Sequence, residues 1–520
     1  MKSMAVNRSV IGSLLNDSMS YLRTTEIFAK SYETLIICRT HQFFWIRLER
    51  SVQRAPIGIP EIDQAIEGGI PKGSLILVAG TPGSGKTSFA ARFLAKGTTL
   101  GEKGIYVSFA EGKGPFFAEM RKQGLDFERM EEERQFAFLD FMTVKREGVP
   151  AVVQEIVNSV LELGATRLVV DSFSAMAQAF PEVIEARSIL HTVLSKIIRS
   201  AGCTTILISE VPVGTSRLGL GIEEFVADGV LKFSQKEIEG RVLRTLEIYK
   251  LRGTKIRKRE HLFTLDGGLK VLSPLDSSRF IDGYEFRHIP HKDPYFSTGI
   301  QDLDELLGGG LRSGSHNLLE VSEDVPLETL LGFLAPTITN SIRQGGQVIC
   351  IPVDGLFPEE MQQSLKRHLG EKGLQSLTIF DMTGRNSPNT ISLSGATVLQ
   401  PFDAFWKTCR RLHKNLSDRI ISILGFDALE ARFAKDLQPL QAMISETIAK
   451  VRSAGDIMLS IARPHLNTLR QMASASDTHL RLTENQGVLC LAGVKPRTGF
   501  YGISASGDSG HGELRLVEVS

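Results

Sequence analysis

The stretch "AGTPGSGKTSF", residues 79–89, constrains the fold more than any other part of this sequence. It fits the pattern G-x-x-x-x-G-K-[ST] and lies between an apolar run, "SLILVAG", and a segment that favours a helix from Lys86. In such a strand–loop–helix unit, glycines let backbone N–H groups converge on phosphate oxygens, and the helix N-terminus adds partial positive charge. The pattern therefore predicts a phosphate-binding loop.

The loop also predicts which residues contact a nucleotide and its metal. Lys86 is expected to reach the β- and γ-phosphates of ATP, and the Thr87 hydroxyl to bind Mg²⁺. The alternative is a glycine-rich turn that carries an ordinary surface lysine. The predicted cofactor-binding residues are Gly80, Thr81, Pro82, Gly83, Ser84, Gly85, Lys86, Thr87 and Ser88.

Two acidic residues follow later apolar runs and complete the predicted site. Asp171 ends "RLVVD", where its carboxylate would hold Mg²⁺ directly or through water. Glu111 ends "IYVSFAE", a strand that we expect next to the strand of the phosphate loop, and would act as general base. The alternatives are a helix cap at Asp171 and a surface glutamate at Glu111.

Short apolar runs alternate with helical segments from about residue 55, which is typical of βαβ units and a mainly parallel sheet. Helices are predicted over about 149–163 and 182–200. Beyond Asp228, "DGVLKFSQ", "RVLRTLEIYKLRG", "HLFTLD" and "GLKVL" predict a closing antiparallel set.

The chain then repeats itself. The 31 residues from Gly58, "GIPEIDQAIEGGIPKGSLILVAGTPGSGKTS", align without gaps with "GIQDLDELLGGGLRSGSHNLLEVSEDVPLET" from Gly299. "FSAMAQAF" at 173–180 matches "FDALEARF" at 426–433, and "RSAG" occurs in both halves. The repeat predicts two tandem copies of one α/β domain.

The predicted organisation has five parts. Residues 1–52 mix apolar, aromatic and basic residues. The segment is expected to form an appended helix or a helix that binds a membrane surface or a partner. A third alternative is that the start codon was wrongly chosen. The predicted parts are the extension 1–52, an ATPase domain 53–272, a linker 273–296, a degenerate second domain 297–505 and a tail 506–520.

The second copy lacks the chemistry of the first. Leu327 and Glu328 stand where the first copy has Lys86 and Thr87, and Leu424 is aligned with Asp171. Acidic residues occupy the region where a polyphosphate would lie, and like charges repel. The second copy is therefore predicted not to bind ATP. These acidic residues are Glu320, Glu323, Asp324 and Glu328.

Composition excludes several other classes of protein. The net charge of +1, with 42% hydrophobic and 23% charged residues, indicates a globular protein without a global attraction to nucleic acid. Five scattered cysteines without a C-x-x-C pair argue against a disulfide framework or a structural zinc site. No apolar run reaches the roughly 18 residues needed to span a bilayer, so a cytoplasmic protein is predicted.

Together, "GIPEIDQAIEGGIPKGSLILVAGTPGSGKTSFA", "VVDSFSAM", "IEEFVADGVLKF" and "YKLRGT" resemble the KaiC-like branch of the RecA superfamily of ATPases. The resemblance implies two tandem RecA-like P-loop NTPase domains, ATP with Mg²⁺, and a homo-oligomeric, commonly hexameric ring with nucleotide between subunits. It also implies that Lys250 and Arg252 act on the γ-phosphate of the neighbouring subunit. Without that resemblance, "KLRGTKIRKR" would be read as a solvated basic hairpin.

One departure from the KaiC-like family bears on the rate of ATP hydrolysis. Its members usually carry two adjacent glutamates where this chain has Ala110 and Glu111, so slow hydrolysis is expected. Autophosphorylation, which resides in the second domain of KaiC, is not expected here.

Three functions follow. The first is a ring-forming regulatory ATPase with an unknown protein partner. The second is a recombinase-like protein that binds DNA through Lys255, Arg257, Lys258 and Arg259. The third is a module that binds ATP with little hydrolysis.

Overall fold

A computed structural model describes most of the chain. The predicted helix over about 182–200 lies outside the described residues, and for residues 25–47 only the backbone is described. The described ranges are 25–31, 34–39, 42–47, 52–141, 149–177, 202–211, 227–238, 240–275, 286–382, 390–393, 399–413, 419–434, 437–506 and 513–519.

The N-terminal extension contains strands where we predicted a helix. β1 (Thr25–Ser31), β2 (Thr34–Arg39) and β3 (Gln42–Arg47) form an antiparallel sheet in that order. The strand sequences "TLIICR" and "QFFWIR" are rich in β-branched and aromatic residues, and only two residues separate neighbouring strands. Both properties favour hairpins over a helix.

The first domain alternates strands and helices as predicted. Its strands are β4 (Arg54–Ala55), β5 (Ile70–Pro71), β6 (Leu75–Gly80), β7 (Gly104–Ser108), β8 (Phe136–Asp140), β9 (Arg167–Asp171), β10 (Thr204–Glu210), β11 (Gly229–Ile238), β12 (Arg241–Leu251), β13 (Glu260–Thr264) and β14 (Lys270–Val271). Its helices are α1 (Pro60–Ala65), α2 (Lys86–Thr99), α3 (Lys113–Lys122), α4 (Phe127–Glu132), α5 (Val149–Leu163) and α6 (Phe173–Ala177).

Nine of these strands form one sheet, in the order β14-β13-β12-β11-β6-β10-β9-β7-β8. The strands from β11 to β8 are parallel, and β12 to β14 close the sheet antiparallel. β7, which precedes Glu111, pairs with β8 and β9, so our expectation that it adjoins β6 was wrong. The crossover connections insert β10 and β9 between the two strands, and local sequence does not encode that order.

The second domain repeats this plan. Its strands are β15 (Tyr295–Phe296), β16 (Leu311–Arg312), β17 (Ser315–Val321), β18 (Gln347–Ile351), β19 (Leu377–Asp381), β20 (Thr390–Ser392), β21 (Ile420–Gly425), β22 (Ile457–Ala462), β23 (Thr478–Asn485), β24 (Val488–Lys495), β25 (Phe500–Ser506) and β26 (Glu513–Glu518). Its helices are α7 (Gln301–Leu306), α8 (Leu327–Arg343), α9 (Pro358–Leu374), α10 (Leu399–Leu412), α11 (Phe426–Arg432), α12 (Leu437–Ala454) and α13 (Leu469–Ala475).

The second sheet has the order β20-β19-β18-β21-β22-β17-β23-β24-β25-β26. β17 lies between β22 and β23, just as β6 lies between β10 and β11. The two tandem α/β domains predicted from the repeat are therefore present. The predicted C-terminal tail contains β26, which pairs with β25 and so belongs to this sheet.

The closing sheets of the two domains pack against each other. An apolar cluster joins Leu243, Leu262 and Leu272 of the first domain to residues of the second, among them Cys490 and Phe500. The Arg241 guanidinium donates hydrogen bonds to the carbonyls of Gly493 (2.8 Å) and Thr498 (2.9 Å). The closing strands, which a single domain would expose, thus form the contact between the halves.

The predicted linker is partly built into the second domain. Leu275 packs in the second domain's core. The backbone N–H groups of Ile289 and His291 donate to the side chains of Asn340 on α8 and of Gln344, the residue that follows α8. Within the described parts of the chain, none of the helices has the length and apolarity needed to cross a membrane.

Candidate functional site

The phosphate-loop sequence forms a tight turn between β6 and α2. Gly85 precedes the first residue of α2 with φ 94°, a left-handed conformation that favours glycine. Gly80 ends β6, where a Cβ atom would lie 2.6 Å from the Phe233 carbonyl oxygen. Across the turn, the Gln235 amide donates to the Gly83 carbonyl at 2.8 Å, so β11 holds the loop from the side.

Two hydroxyl groups inside this turn have no hydrogen-bond partner among the described residues. The hydroxyls of Thr81 and Ser84 are buried and make no hydrogen bond within the described part of the chain. Unpaired buried hydroxyls are uncommon because burial without a partner costs about 1–3 kcal/mol. Ser88 differs, because its hydroxyl accepts a hydrogen bond from Gln123 at 2.9 Å and so serves packing between α2 and α3.

Lys86 points back into its own loop. Its ammonium group donates to the carbonyls of Gly80 (2.9 Å) and Thr81 (2.8 Å), and the residue is only 7% exposed. Burial lowers the pKa of Lys86, while the carboxylates of Glu210 and Asp171 oppose that shift. The ammonium group is thus desolvated and bound to two carbonyls of its own loop.

Thr87 and Asp171 meet, as the predicted metal site requires. The Thr87 hydroxyl donates to Oδ2 of Asp171 at 2.9 Å. The Asp171 carboxyl is buried, which raises its pKa, while hydrogen bonds from Tyr106 and Thr87 and the charge of Lys86 act in the opposite direction. A hydroxyl and a carboxylate side by side are oxygen donors of the kind that Mg²⁺ prefers.

Glu111 lies beyond the end of its strand, in the turn between β7 and α3. Its backbone N–H and carbonyl both bond to the Ser108 hydroxyl, which fixes the turn. Partial burial raises the pKa of the Glu111 carboxyl, and the charges of Asp171 and Glu119 add to the effect. Glu111 is thus electrostatically coupled to the predicted metal ligand.

Sequence reasoning missed two groups at this site. Glu210 ends β10 opposite Gly80 and is the largest acidic influence on the Lys86 pKa. A sequence signal existed, since Glu210 ends the apolar run "TTILISE" just as Asp171 ends "RLVVD". Tyr106, which donates to Asp171, gave no such signal because it resembles any buried strand aromatic.

Lys250 and Arg252 do not reach this site within one chain. Leu251 pairs with Gly229, which pairs with Ile76 near the start of β6, whereas the phosphate loop follows the other end. Four residues of strand separate the two edges, on the order of 13 Å. Lys250 donates to the Ala227 carbonyl, and Arg252, 61% exposed, lies 3.9 Å from Asp228.

The second domain differs from the first at each phosphate-loop position and at the position of Asp171. Leu327 begins α8 and packs on the apolar core, while Glu323, Asp324 and Glu328 are exposed around the former loop. Glu320 is an exception to our expectation. It is buried in β17 and paired with His479 (2.9 Å) and Arg481 (3.1 Å), away from the phosphate position.

The strand register also corrects the aligned position of Asp171. Val170 pairs with Leu207, which puts Asp171 opposite Ile208, and Gly425 pairs with Ile461, the equivalent of Ile208. Gly425, not Leu424, therefore takes the place of Asp171. A Cβ atom at Gly425 would lie 2.6 Å from the Pro352 carbonyl oxygen, so no carboxylate fits there.

A cavity of about 430 Å³ lies at this edge of the second sheet. Arg463, the equivalent of Glu210, is 8% exposed there and lies 3.9 Å from Asp427. The acidic lining of the cavity repels phosphate. Its charged lining residues are Glu323, Asp354, Asp427, Glu430, Arg463 and His465.

The basic stretch after β12 is partly engaged in the fold. Lys255, Arg257 and Arg259 are exposed. Lys258 is half-buried, which lowers its pKa, and it lies near enough to Glu484 of the second domain for that carboxylate to oppose the shift. The surface offered to DNA is therefore smaller than the sequence indicated.

Known proteins are similar in sequence to part of this chain. A family model described as "ATPase: KaiC" matches residues 55–276, the first domain. A UPF0273 protein of Pyrococcus horikoshii is 33% identical over 234 residues, which cover 42% of this chain and 94% of that protein. The circadian clock protein KaiC3 of Synechocystis sp. is 30% identical over 270 residues, 50% of this chain and 52% of that protein.

A solved structure is also similar in sequence. The KaiC-like protein from the hyperthermophilic archaeon Pyrococcus horikoshii is 36% identical and aligns over 43% of this chain and 100% of that chain, with a TM-score of 0.39.

Proposed function

This chain belongs to the KaiC-like ATPase family, and from that premise we propose that it is a ring-forming regulatory ATPase, with slow Mg²⁺-dependent hydrolysis in the first domain only. The observation that carries the proposal is the convergence of Lys86, Thr87 and Asp171 in one domain and the loss of all three positions in the other.

The residues of the first domain fit a magnesium nucleotide. The unpaired hydroxyls of Thr81 and Ser84 and the loop-bound ammonium of Lys86 supply donors for phosphate oxygens. Thr87 and Asp171 would hold the metal ion, which when bound neutralises charge on the β- and γ-phosphates. Lys86 would exchange its two carbonyl partners for phosphate oxygens.

Glu111 would take a proton from the attacking water. A general base works best when its pKa lies near the operating pH, and burial with nearby negative charge moves the Glu111 pKa upward. Ala110 stands where the family usually has a second glutamate, and this supports slow turnover.

The second domain would serve assembly, partner docking or regulation. It keeps the sheet and packs on the closing strands of the first domain, but its vacated site carries acidic side chains. Nucleotide state in the first domain would then alter the surface offered to an unidentified protein partner.

The test is ATP turnover by the purified full chain with Mg²⁺. Lys86→Ala should lower turnover by about 100-fold or more, because one phosphate-stabilising donor contributes that much in transition-state stabilisation. Lys122→Ala, a change at a lysine that is 77% exposed on α3, is the matched control and should leave turnover unchanged. Undiminished turnover in Lys86→Ala would refute the assignment.

The same assay separates hydrolysis from an ATP-binding switch. If hydrolysis is the function, Glu111→Gln should bind ATP as tightly as the native chain but release little phosphate. Tight binding with no release from the native chain, unchanged by Glu111→Gln, would favour the switch instead.

A further inference from the structure

We propose that Tyr106 is a positioning residue for the predicted metal site, holding Asp171 in the orientation that receives Mg²⁺. The inference rests on the proposed function and adds a residue that neither the loop pattern nor the family resemblance assigns.

Tyr106 lies beneath the site, with its ring fully buried in β7. Its hydroxyl donates to Oδ2 of Asp171 at 2.5 Å, the same oxygen that accepts the hydrogen bond from Thr87. Two donors on one oxygen fix the plane of the carboxylate. Oδ1 then carries no hydrogen bond from any residue that the structure describes, and is left for a metal ion.

The tyrosine is itself held firmly. Its ring lies 4.3 Å from the ring of Phe116 on α3 and 5.6 Å from that of Phe138 on β8, the latter stacked at 10°. A side chain whose rotamer is fixed by packing can orient the group to which it donates a hydrogen bond. Tyr106 therefore places a fixed donor under Asp171 rather than a mobile one.

The internal repeat supplies an independent observation. By strand register, Cys350 takes the position of Tyr106, and Gly425 that of Asp171. Glu328 takes the position of Thr87. Each residue of the Tyr106–Asp171–Thr87 group has been replaced in the domain that lost the phosphate lysine. The three replacements are those expected of a group that serves one metal site, although the ring stacked on Tyr106 has changed as well, from Phe138 to Ile379.

The competing explanation is a buried hydroxyl that merely uses a nearby acceptor. The two differ in what Tyr106→Phe changes. Removing a positioning hydrogen bond weakens the metal ligand, and outer partners of metal ligands typically contribute 10- to 100-fold to metal affinity. Removing a merely structural hydroxyl lowers stability without a selective effect on the metal.

The experiment compares the full chain with its Tyr106→Phe variant, using a non-hydrolysable ATP analogue as ligand and Mn²⁺ as a paramagnetic probe. The metal concentration that half-saturates the analogue complex should rise about 10-fold in Tyr106→Phe. Binding of the analogue in EDTA should not change. Tyr295→Phe, in the second domain, is the control and should change neither quantity.

A double-mutant cycle with Asp171→Asn tests whether Tyr106 affects metal affinity through Asp171. If Tyr106 acts through Asp171, Tyr106→Phe should have no further effect on metal affinity in the Asp171→Asn background. Equal metal affinity in the native chain and Tyr106→Phe would overturn the proposal. So would an equal loss of metal-free and metal-dependent binding, or a Tyr106→Phe protein that does not fold.

Failure of this inference is distinguishable from failure of the proposed function. If the native chain binds no nucleotide with metal, the proposed function itself is wrong. If the native chain binds both and Tyr106→Phe matches it, only the role of Tyr106 is withdrawn.

Discussion

At the scale of single residues, the first domain contains a buried arginine, Arg167, whose guanidinium is tightly bound by its neighbours. Arg167 is 1% exposed in its side chain and pairs with Glu102, while its guanidinium also donates to the carbonyls of Pro56 (2.7 Å) and Phe93 (2.5 Å). This buried cation fastens α2, the helix that carries Lys86 and Thr87, to the start of the sheet. The phosphate loop is thus held from behind as well as from the side.

Gly97 faces that cation, which gives a stability prediction. A Cβ atom at Gly97 would lie 2.5 Å from Cδ of Arg167, and the bonds of Arg167 prevent it from moving aside. Gly97→Ala should destabilise the first domain by about 1–3 kcal/mol, the usual cost of overpacking. Chemical denaturation measures it.

Gly114→Ala is the matched control, since Gly114 also lies in a helix but nothing lies within 4 Å of its Cβ position. That variant should be neutral or stabilised by up to about 1 kcal/mol. Equal effects of the two substitutions would show that Arg167 is not the cause.

At the scale of elements, strands carry buried polar residues as well as apolar ones. His316 on β17 is fully buried, and its Nε2 lies 2.9 Å from the Ser460 hydroxyl on β22. Burial lowers the pKa of His316 from 6.5 to about 4. The strand that corresponds to the phosphate-loop strand therefore depends on a neutral imidazole.

A pH dependence of stability follows. Below pH 6.5 the unfolded chain takes up a proton at His316, while the folded chain does not until about pH 4. The contribution of neutral His316 to the free energy of unfolding is therefore fully present above pH 6.5 and is lost as the pH falls. At pH 5 the loss is about 2 kcal/mol, since one pKa unit corresponds to about 1.36 kcal/mol.

Denaturation of the second domain at pH 7 and pH 5 measures this loss. His316→Gln should reduce the difference between the two pH values. An identical pH difference in the native protein and His316→Gln would contradict the assignment to His316.

At the scale of the whole molecule, the proposed ring would bring Lys250 and Arg252 of one copy to the nucleotide site of another. Lys250 and Arg252 lie at the sheet edge opposite the phosphate loop. A contribution of these cations to hydrolysis therefore requires a second copy of the chain. The positions of these two residues in a single subunit are thus a reason to expect the proposed ring.

Mixing two inactive variants tests this arrangement. Arg252→Ala should lower turnover by about 100-fold or more, because it removes transition-state charge stabilisation from the neighbour's site. Lys86→Ala retains Arg252 but lacks a working site. Mixed rings should therefore regain part of the turnover, at the interfaces that pair an intact site with an intact Arg252.

Absence of any regained turnover, with mixed assembly verified by light scattering in Mg-ATP, would contradict action between subunits. Arg129→Ala serves as the control and should keep full turnover alone, because Arg129 is exposed and pairs with Glu133, the residue that follows α4.

The sequence by itself determined the features that depend on short-range pattern. The phosphate loop, the alternation of strands and helices, the tandem repeat and the positions of Lys86, Thr87 and Asp171 all follow from local spacing and glycine placement. Backbone conformation and hydrophobic periodicity are properties of neighbouring residues, so a single sequence carries them.

Only the tertiary structure decided which distant residues meet. It put Tyr106 and Glu210 at the site, moved the counterpart of Asp171 from Leu424 to Gly425, and paired Glu320 with His479 and Arg481 away from the phosphate position. A shift of one residue in strand register moves a side chain to the other face of the sheet. Register and strand order arise from long-range packing, which no local pattern encodes.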